Sequence, residues 1–241
     1  MSNSKKARKI GKYYLLGGRL NIIGKREARQ KDSLKKVEIA KKAAGILGFL
    51  PSVKMVGITG ALAMMNADSA SDVDLFVICA SGTLWTTRLM AIWVLDMAGI
   101  SRRRYGQQTQ KDRLCLNMWL DEKAILWDKT DRNVYTAHEI AQVIPLVNKN
   151  KTHEKFLYKN RWIKAYWPNA TRTEKEKKKQ AKVERLLGPS VLNLLIFPFE
   201  RLAYWLQYLY MKPKITREVV SPTMAIFHPI DWGKIVLSKL K

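Results

Sequence analysis

The chain has 241 residues, of which 44 are Lys or Arg and 20 are Asp or Glu, so its formal net charge is +24. With 47% hydrophobic residues it can bury a core, and this excludes a wholly disordered protein. Residues 1–42 carry a net +11, residues 43–150 a net +1 and residues 151–241 a net +12. Basic flanks attract polyanions such as nucleic acid or anionic lipid, and solubility alone is the alternative explanation.

Three features bear on the cellular compartment. Cys79 and Cys115 lie in apolar runs, which is typical of buried thiols in a reducing compartment rather than of a disulfide or a metal site. The basic N-terminus lacks the apolar segment and cleavage site of a secretory signal. No run of about 18 residues is apolar enough to span a bilayer, because polar residues and a proline interrupt residues 191–211. We therefore expect a cytoplasmic protein without a transmembrane segment.

The N-terminal third predicts a basic segment followed by one helix. Residues 1–32 are assigned to that segment, which is frayed at its start and forms a loop around Gly17 and Gly18. Ser33 is a candidate N-cap for a helix over residues 33–47. This helix is expected to turn its lysines to water, and they are Lys35, Lys36, Lys41 and Lys42.

Residues 53–79 predict a strand, a turn, a short helix, a polar loop and a second strand. The turn is Thr59-Gly60-Ala61, and the second strand covers residues 72–79. Asp72 and Asp74 point to the same side of it, because side chains alternate along a strand. Two carboxylates at the mouth of a buried strand repel each other, which a bound cation or a shared proton relieves. Paired oxygen ligands suit Mg²⁺.

The later elements follow from the same periodicities. Helices are predicted over residues 83–98, 136–141, 156–167 and 192–211, a short basic helix at the C-terminus, and strands over 114–120 and 123–127. In the strand 114–120, one face should carry Leu114, Leu116, Met118 and Leu120, and the other Cys115, Asn117 and Trp119. Residues 171–182 predict a solvated charge run. The apolar helix 192–211 is interpreted as a core helix, with a membrane-surface helix as the alternative.

The segment GITGALAMMNADSASDVDLFVI, residues 57–78, resembles the signature of the DNA polymerase β-type nucleotidyltransferase superfamily. That signature is a glycine turn, about a dozen residues, then Asp-hydrophobic-Asp on a strand. The wider chain resembles uncharacterised bacterial proteins with such a domain, through Leu50-Pro51, LWTTR at 84–88, Leu116-Asn117, Trp162 and Phe227-His228-Pro229. The resemblance implies an α+β fold with a small mixed sheet, flanking helices and a mostly helical C-terminal part. Charge and the change in composition near residue 150 divide the chain into a basic N-terminal segment (1–32), a nucleotidyltransferase-like domain (33–150) and a helical basic C-terminal region (151–241).

The resemblance also implies a set of site residues. Asp72 and Asp74 would be catalytic metal ligands for Mg²⁺, and the nucleotide phosphates would be contacted by Thr59, Gly60, Ala61 and Ser71. Arg88 is a further candidate for a phosphate, with an ordinary surface arginine as the alternative. Ala61 stands where the superfamily often has a small hydroxyl residue. His228 and Asp231 predict a turn-stabilising pair rather than a catalytic one.

The third carboxylate of the superfamily has no obvious counterpart. Asp112 precedes the strand 114–120, Asp121 and Glu122 follow it, and Asn117 lies within it. Asp112 is the preferred third catalytic and metal-binding acid, and a degenerate site with Asn117 is the alternative. The sequence thus predicts a Mg²⁺-dependent enzyme that transfers a nucleoside monophosphate from an NTP to a hydroxyl, with RNA among the acceptors. The alternatives are a degenerate domain that binds nucleic acid and a peripheral membrane protein.

Overall fold

The computed structural model describes residues 7–16, 21–104, 106–107, 109–170, 191–227 and 232–239. They form an α+β protein with one six-stranded mixed sheet, a separate two-stranded hairpin and a mostly helical C-terminal part. This confirms the expected fold class. The charge run 171–182 and the residues His228 and Asp231 lie outside the described residues.

The strands and helices have the following bounds. The strands are β1 (Ala7–Ile10), β2 (Tyr13–Leu16), β3 (Val53–Ile58), β4 (Val73–Cys79), β5 (Leu114–Asp121), β6 (Ile144–Asn148), β7 (Val219–Ser221) and β8 (Met224–Ile226). The helices are α1 (Asn21–Gly48), α2 (Gly60–Ala63), α3 (Leu84–Met97), α4 (Val134–Ala141), α5 (Thr152–Lys159), α6 (Val191–Met211) and α7 (Trp232–Lys239). Short 3-10 helices at 122–124, 129–131, 149–151, 161–165 and 212–214 complete the described part.

The sheet has the strand order β6-β3-β4-β5-β8-β7. Among the strands of the described residues, only β4 and β5 pair in parallel, since α3 carries the chain back over the sheet between them. The other pairs are antiparallel. The continuous apolar run of β4 lies at the middle of the sheet, where both of its faces are covered.

Two separate hydrophobic clusters cover the two faces of this sheet. Leu75 and Val77 of β4 pack with residues of α1 and α3 on one face. Phe76 and Ile78 point the other way and pack with residues of α4 and α5, including Phe156. Asp72 and Asp74 precede Phe76 by even steps, so β4 directs both carboxylates to the α4 side.

The first helix corrects the sequence prediction most strongly. It begins at Asn21, twelve residues before the predicted N-cap, and Ser33 is buried within it. Residues 7–16, expected to be frayed or loop, form the β1–β2 hairpin. Lys36 is 1% exposed rather than solvated, because it lies on the helix face that also carries Ala40 and Leu47.

Other boundaries differ by smaller amounts. Residues 122–124 form a 3-10 helix in place of a strand, residues 144–148 form the unpredicted edge strand β6, and the helix predicted over 156–167 is α5 followed by a 3-10 turn. Strands β7 and β8, also unpredicted, extend the central sheet beyond β5. Residues from the third predicted segment therefore join the sheet of the second.

Helix α6 attaches to α3 through buried polar groups. The Glu200 carboxylate accepts hydrogen bonds from the backbone amides of Trp85 and Thr86 at 2.6 and 2.9 Å. Gln207 donates to the carbonyl of Trp85 at 2.8 Å. Glu200 thus caps the first turn of α3, while the hydroxyl of Thr83, the residue before this helix, donates to the carbonyl of Ala80. Among the described residues, no helix has the length and apolarity needed to cross a membrane.

Candidate functional site

The Asp72–Asp74 pair and the Gly60 turn lie together at the N-terminal end of β4. Gly60 has φ +60°, and a Cβ placed on it would lie 3.0 Å from Oδ2 of Asp74. The backbone amide of Thr59 donates to the carbonyl of Asp74 at 3.3 Å, since β3 and β4 are antiparallel neighbours. Sequence reasoning brought these residues together correctly. Glycine is required here both by its positive φ and by the approach of the carboxylate.

Replacement of Gly60 by alanine tests this packing. We expect the Gly60→Ala change to destabilise the protein by about 1–3 kcal/mol, because the new methyl group needs a left-handed backbone and displaces the Asp74 carboxyl. The matched control is Gly45→Ala in α1, where a Cβ would have no neighbour within 4 Å and should be neutral or stabilising. Urea unfolding of both variants measures the difference. Equal stability of the two variants would contradict this reading of the turn.

Asp74 has the most perturbed carboxyl group of the site. Burial raises the pKa of Asp74 to about 7, and repulsion from the neighbouring Asp72 carboxylate contributes in the same direction. Asn117 donates its amide Nδ2 to Oδ1 of Asp74 at 2.8 Å. Without a cation, ionisation of Asp74 in the folded chain therefore lowers the free energy of unfolding.

Cys115 is the third potential ligand. The parallel register places Cys115 beside Asp74. Ligand atoms of Asp72, Asp74 and Cys115 all lie within 4.8 Å of one another. Burial raises the pKa of the Cys115 thiol, and the two carboxylates raise it further. The sequence interpretation treated Cys115 as a buried thiol unconnected with metal, whereas the structure places it, only partly buried, inside the acidic cluster.

An irregularity in β5 changes the face of the sheet on which Met118 lies. The register between β4 and β5 shifts by one residue between the Asp74 and Phe76 positions. Consequently Leu116 packs on one face of the sheet while Met118 packs on the other, which corrects the predicted shared face. Cys115 and Asn117 share the face that meets Asp74, as alternation along β5 predicts, and the shift moves Met118 to that side as well.

Arg103 neutralises part of the cluster. Its guanidinium Nη1 lies 3.0 Å from Oδ2 of Asp72 and 3.9 Å from Sγ of Cys115. Arg103 comes from the loop before β5, where its backbone amide donates to the carbonyl of Leu114. Arg103 is the middle of three consecutive arginines, and no motif in the sequence distinguishes it from its neighbours. The structure makes Arg103 the internal counter-ion of the acidic pair.

One face of α1 holds the loop 64–71 that joins the turn to Asp72. Arg26 donates to the carbonyls of Met64 and Met65, and Arg29 forms an ion pair with Asp68. Ser33 Oγ accepts a hydrogen bond from the amide of Ala67 at 3.0 Å. We call this face, formed by Arg26, Arg29, Ser33 and Lys36, the loop clamp.

Lys36 is the buried end of the loop clamp. Its ammonium donates to the carbonyl of Ser71 at 2.7 Å and to Oδ1 of Asp112 at 2.5 Å. The amide of Asp112 in turn donates to the carbonyl of Ser71. Lys36 therefore fixes the residue immediately before Asp72. Its spacing from Ser33, Ala40 and Leu47 was a helical signal that could have revealed its burial.

The structure does not bring the predicted third carboxylates into the cluster. Asp112 is paired with Lys36 and lies outside the group formed by Asp72, Asp74 and Cys115. Asp121 aligns with Cys79, five residues along β4 from Asp74, and accepts from the amides of Gly82 and Lys123. Glu122 follows it at the same end of the strand. Asn117, the other alternative, does contact Asp74.

Glu139 is the acid that sequence reasoning missed. It lies on α4, and its charge contributes to raising the pKa of Asp74. Burial raises the pKa of Glu139 itself, while a hydrogen bond from Gln142 at 2.7 Å opposes that effect. No motif marks this residue, because α4 approaches the site through the tertiary fold.

The remaining predicted residues have different surroundings. Arg88 belongs to α3, on the face of the sheet opposite the carboxylates, where it donates to Oε1 of Gln207 at 2.5 Å and lies over the Phe227 ring. Burial lowers the pKa of Arg88 to about 10. Ser71 donates its hydroxyl to the carbonyl of Asp68, and Ala61 is exposed beside Gly60.

A cleft of about 340 Å³ opens beside these elements. Met64 lines it from the end of α2, and His138 and Gln142 line it from α4. Trp167 completes the wall, with its ring centroid 5.6 Å from that of His138. The cleft is bounded by the two helices that also carry Gly60 and Glu139.

The comparisons with known proteins are sparse. No family model matches the chain, and no curated protein matches it significantly. One solved structure, titled as a mutant of the toxin–antitoxin MntA-HpeT, is similar over 65% of this chain and 98% of its own, with 11% sequence identity and a TM-score of 0.29. A likeness this slight carries no inference about function.

Proposed function

We propose that the chain is a divalent-metal-dependent nucleotidyltransferase, which transfers a nucleoside monophosphate from an NTP to a hydroxyl group. The observation that carries this proposal is the convergence of Asp72, Asp74 and the Gly60 turn at one end of β4. Paired carboxylates beside a glycine turn suit a metal-bound triphosphate, because the metal takes oxygen ligands and the turn brings backbone close to phosphate.

The residues present fit a divalent cation. Asp74 has a raised pKa in part because Asp72 lies beside it, and a cation would relieve both charges. Asp72 and Asp74 would hold Mg²⁺ through oxygen, and Cys115 is the third group in reach. When bound, the metal would neutralise charge on the phosphates and lower the energy of the in-line displacement.

Different residues of the chain would then bind the triphosphate, accept the proton and bind the nucleobase. Arg103 would pass from Asp72 to the triphosphate, for which a guanidinium is a suitable partner. The acceptor oxygen would attack the α-phosphorus, the bond to the β-phosphate would break, and pyrophosphate would leave. We assign the acceptor's proton to Glu139, and the cleft beside His138 and Trp167 to the nucleobase.

The charge of the flanks supports a proposal for the class of acceptor. The flanks 1–42 and 151–241 carry net charges of +11 and +12, which favours a polyanionic acceptor such as RNA. A second candidate function is a catalytically inactive domain that binds nucleic acid. It is favoured by the pairing of Arg103 with Asp72 and by Cys115 in place of an acid.

Incubation with α-labelled NTPs, Mg²⁺ or Mn²⁺ and cellular RNA distinguishes the two functions. The enzyme should label an acceptor and release pyrophosphate, and Asp74→Asn should reduce the rate at least about 1,000-fold. The matched control is Asp68→Asn, a change at an exposed acid of the neighbouring loop, which should leave labelling intact. Salt-sensitive RNA binding without labelling by any NTP would contradict the enzyme and support the binding domain.

Replacement of Cys115 by aspartate tests the metal assignment separately. The Cys115→Asp variant places a third oxygen ligand within the cluster, so we expect about tenfold tighter Mg²⁺ binding by calorimetry. Cys115→Ser, which adds no charge, is the control and should bind Mg²⁺ like the unchanged protein. Weaker Mg²⁺ binding by the aspartate variant would show that the metal lies elsewhere.

A further inference from the structure

Helix α6 exposes an apolar face that the proposed chemistry does not use. Its large apolar side chains at this face are each between 53% and 69% exposed. They are Phe199, Leu202, Trp205, Leu206, Leu209 and Tyr210. They recur at spacings of three and four residues and therefore form one stripe along the helix. Isolated exposed apolar residues are ordinary, whereas a contiguous stripe of this size marks a contact surface.

The orientation of α6 is fixed by its other face. Glu200 and Gln207 are buried against α3 and hydrogen-bonded to it, and Ala203 and Met211 are buried on the same side. Rotation of the helix to hide the apolar stripe would break the cap on α3. The exposed stripe is thus a consequence of specific packing.

We propose that this stripe lies on an anionic lipid surface, with α6 in the plane of the interface. Leucine and phenylalanine side chains would enter the acyl boundary, and Trp205 and Tyr210 suit the headgroup level because each has an apolar ring with a polar group. The apolar stripe and the charge together select this occupant: residues 151–241 carry a net +12, and Arg201 and Lys212 are exposed beside the exposed leucines and aromatic residues. A nucleic acid would neutralise the positive charge of this region, but the exposed leucines of the stripe would stay in contact with water.

Flotation with lipid vesicles tests the proposal on the full chain. We expect the protein to float with vesicles containing roughly one-third phosphatidylserine and to stay in the soluble fraction with pure phosphatidylcholine. The double change Trp205→Glu and Leu209→Glu should reduce the bound fraction at least about tenfold. Phe49→Glu, at an apolar residue just after α1 that is 88% exposed, is the matched control and should float as before.

Three results would overturn the proposal. The first is equal flotation of the double variant, which would show binding through charge alone. The second is a soluble protein with every vesicle, and the third is a dimer in light scattering that the double variant converts to a monomer. The last result would assign the stripe to a second copy of the chain. Each readout is independent of nucleotidyl transfer, so these results test lipid binding without testing the proposed enzymatic function.

Discussion

The Asp74→Asn variant should be more stable than the unchanged protein when both are free of metal at pH 8. The buried Asp74 carboxyl has a pKa of about 7, whereas an aspartate in an unfolded chain titrates near 3.9. At pH 8 the folded protein therefore holds a charge that it disfavours. Asparagine keeps the acceptor for Asn117 and removes that charge.

The direction in which stability changes with pH follows from the number of protons bound by the folded and unfolded states. Between about pH 4 and pH 7 the folded state retains a proton on Asp74 that the unfolded state has lost. Stability of the metal-free protein should therefore fall as pH rises through this range and level off above it. The full difference corresponds to an upper bound of about 4 kcal/mol, and we expect a gain of about 2–4 kcal/mol for Asp74→Asn at pH 8.

Urea unfolding at pH 4 and pH 8 measures this effect. At pH 4 the variant and the unchanged protein should be nearly equal, since Asp74 is then protonated in the folded state. Asp68→Asn should show no comparable gain at pH 8, because Asp68 is half-exposed in its loop. A variant that is less stable at pH 8 would show that the Asp74 charge is already compensated within the chain.

The Lys36→Met variant should lose about 2–4 kcal/mol of stability. The ammonium of Lys36 is buried and satisfies the carbonyl of Ser71 and the carboxylate of Asp112. Methionine fills a similar volume but removes the buried charged donor, so the carbonyl of Ser71 keeps only the amide of Asp112 and the Asp112 carboxylate loses its counter-ion. Because Ser71 precedes Asp72, metal affinity should weaken together with stability.

Lys35→Met provides the control for this prediction. Lys35 is the neighbouring residue on α1 and is exposed, so its replacement should change stability by no more than about 0.5 kcal/mol. Unfolding and Mg²⁺ titration of both variants separate the buried role from a general loss of charge. If Lys36→Met is as stable as Lys35→Met, the loop clamp does not hold the site.

The local part of the site could be predicted from sequence. Asp72, Asp74 and Gly60 belong to one strand–turn–strand unit, whose alternation and turn chemistry fix where they point. The sheet order around β4 and β5 follows from the α3 crossover. These relations depend on residues that are close along the chain.

The rest of the site depends on tertiary contacts that no periodicity encodes. Cys115 reaches Asp74 through the pairing of β4 with β5 across the α3 crossover, and Arg103 and Glu139 come from a loop and a helix with no motif. Lys36 was assigned to water because lysine is seldom buried without a partner, and its partner Asp112 lies 76 positions away. The burial of Glu200 was not predictable for the same reason, since the helix that it caps lies more than 100 residues earlier in the chain.

The most direct test of the central claim is the binding of a divalent cation by Asp72 and Asp74. Thermal unfolding of metal-free protein at pH 8, titrated with Mg²⁺ or Mn²⁺, should show progressive stabilisation that reaches about 2.7 kcal/mol at 100 times the dissociation constant. Asp72→Asn and Asp74→Asn should remove this response, and Asp68→Asn should preserve it. An equal response in all four proteins would contradict the assignment of the metal to this pair.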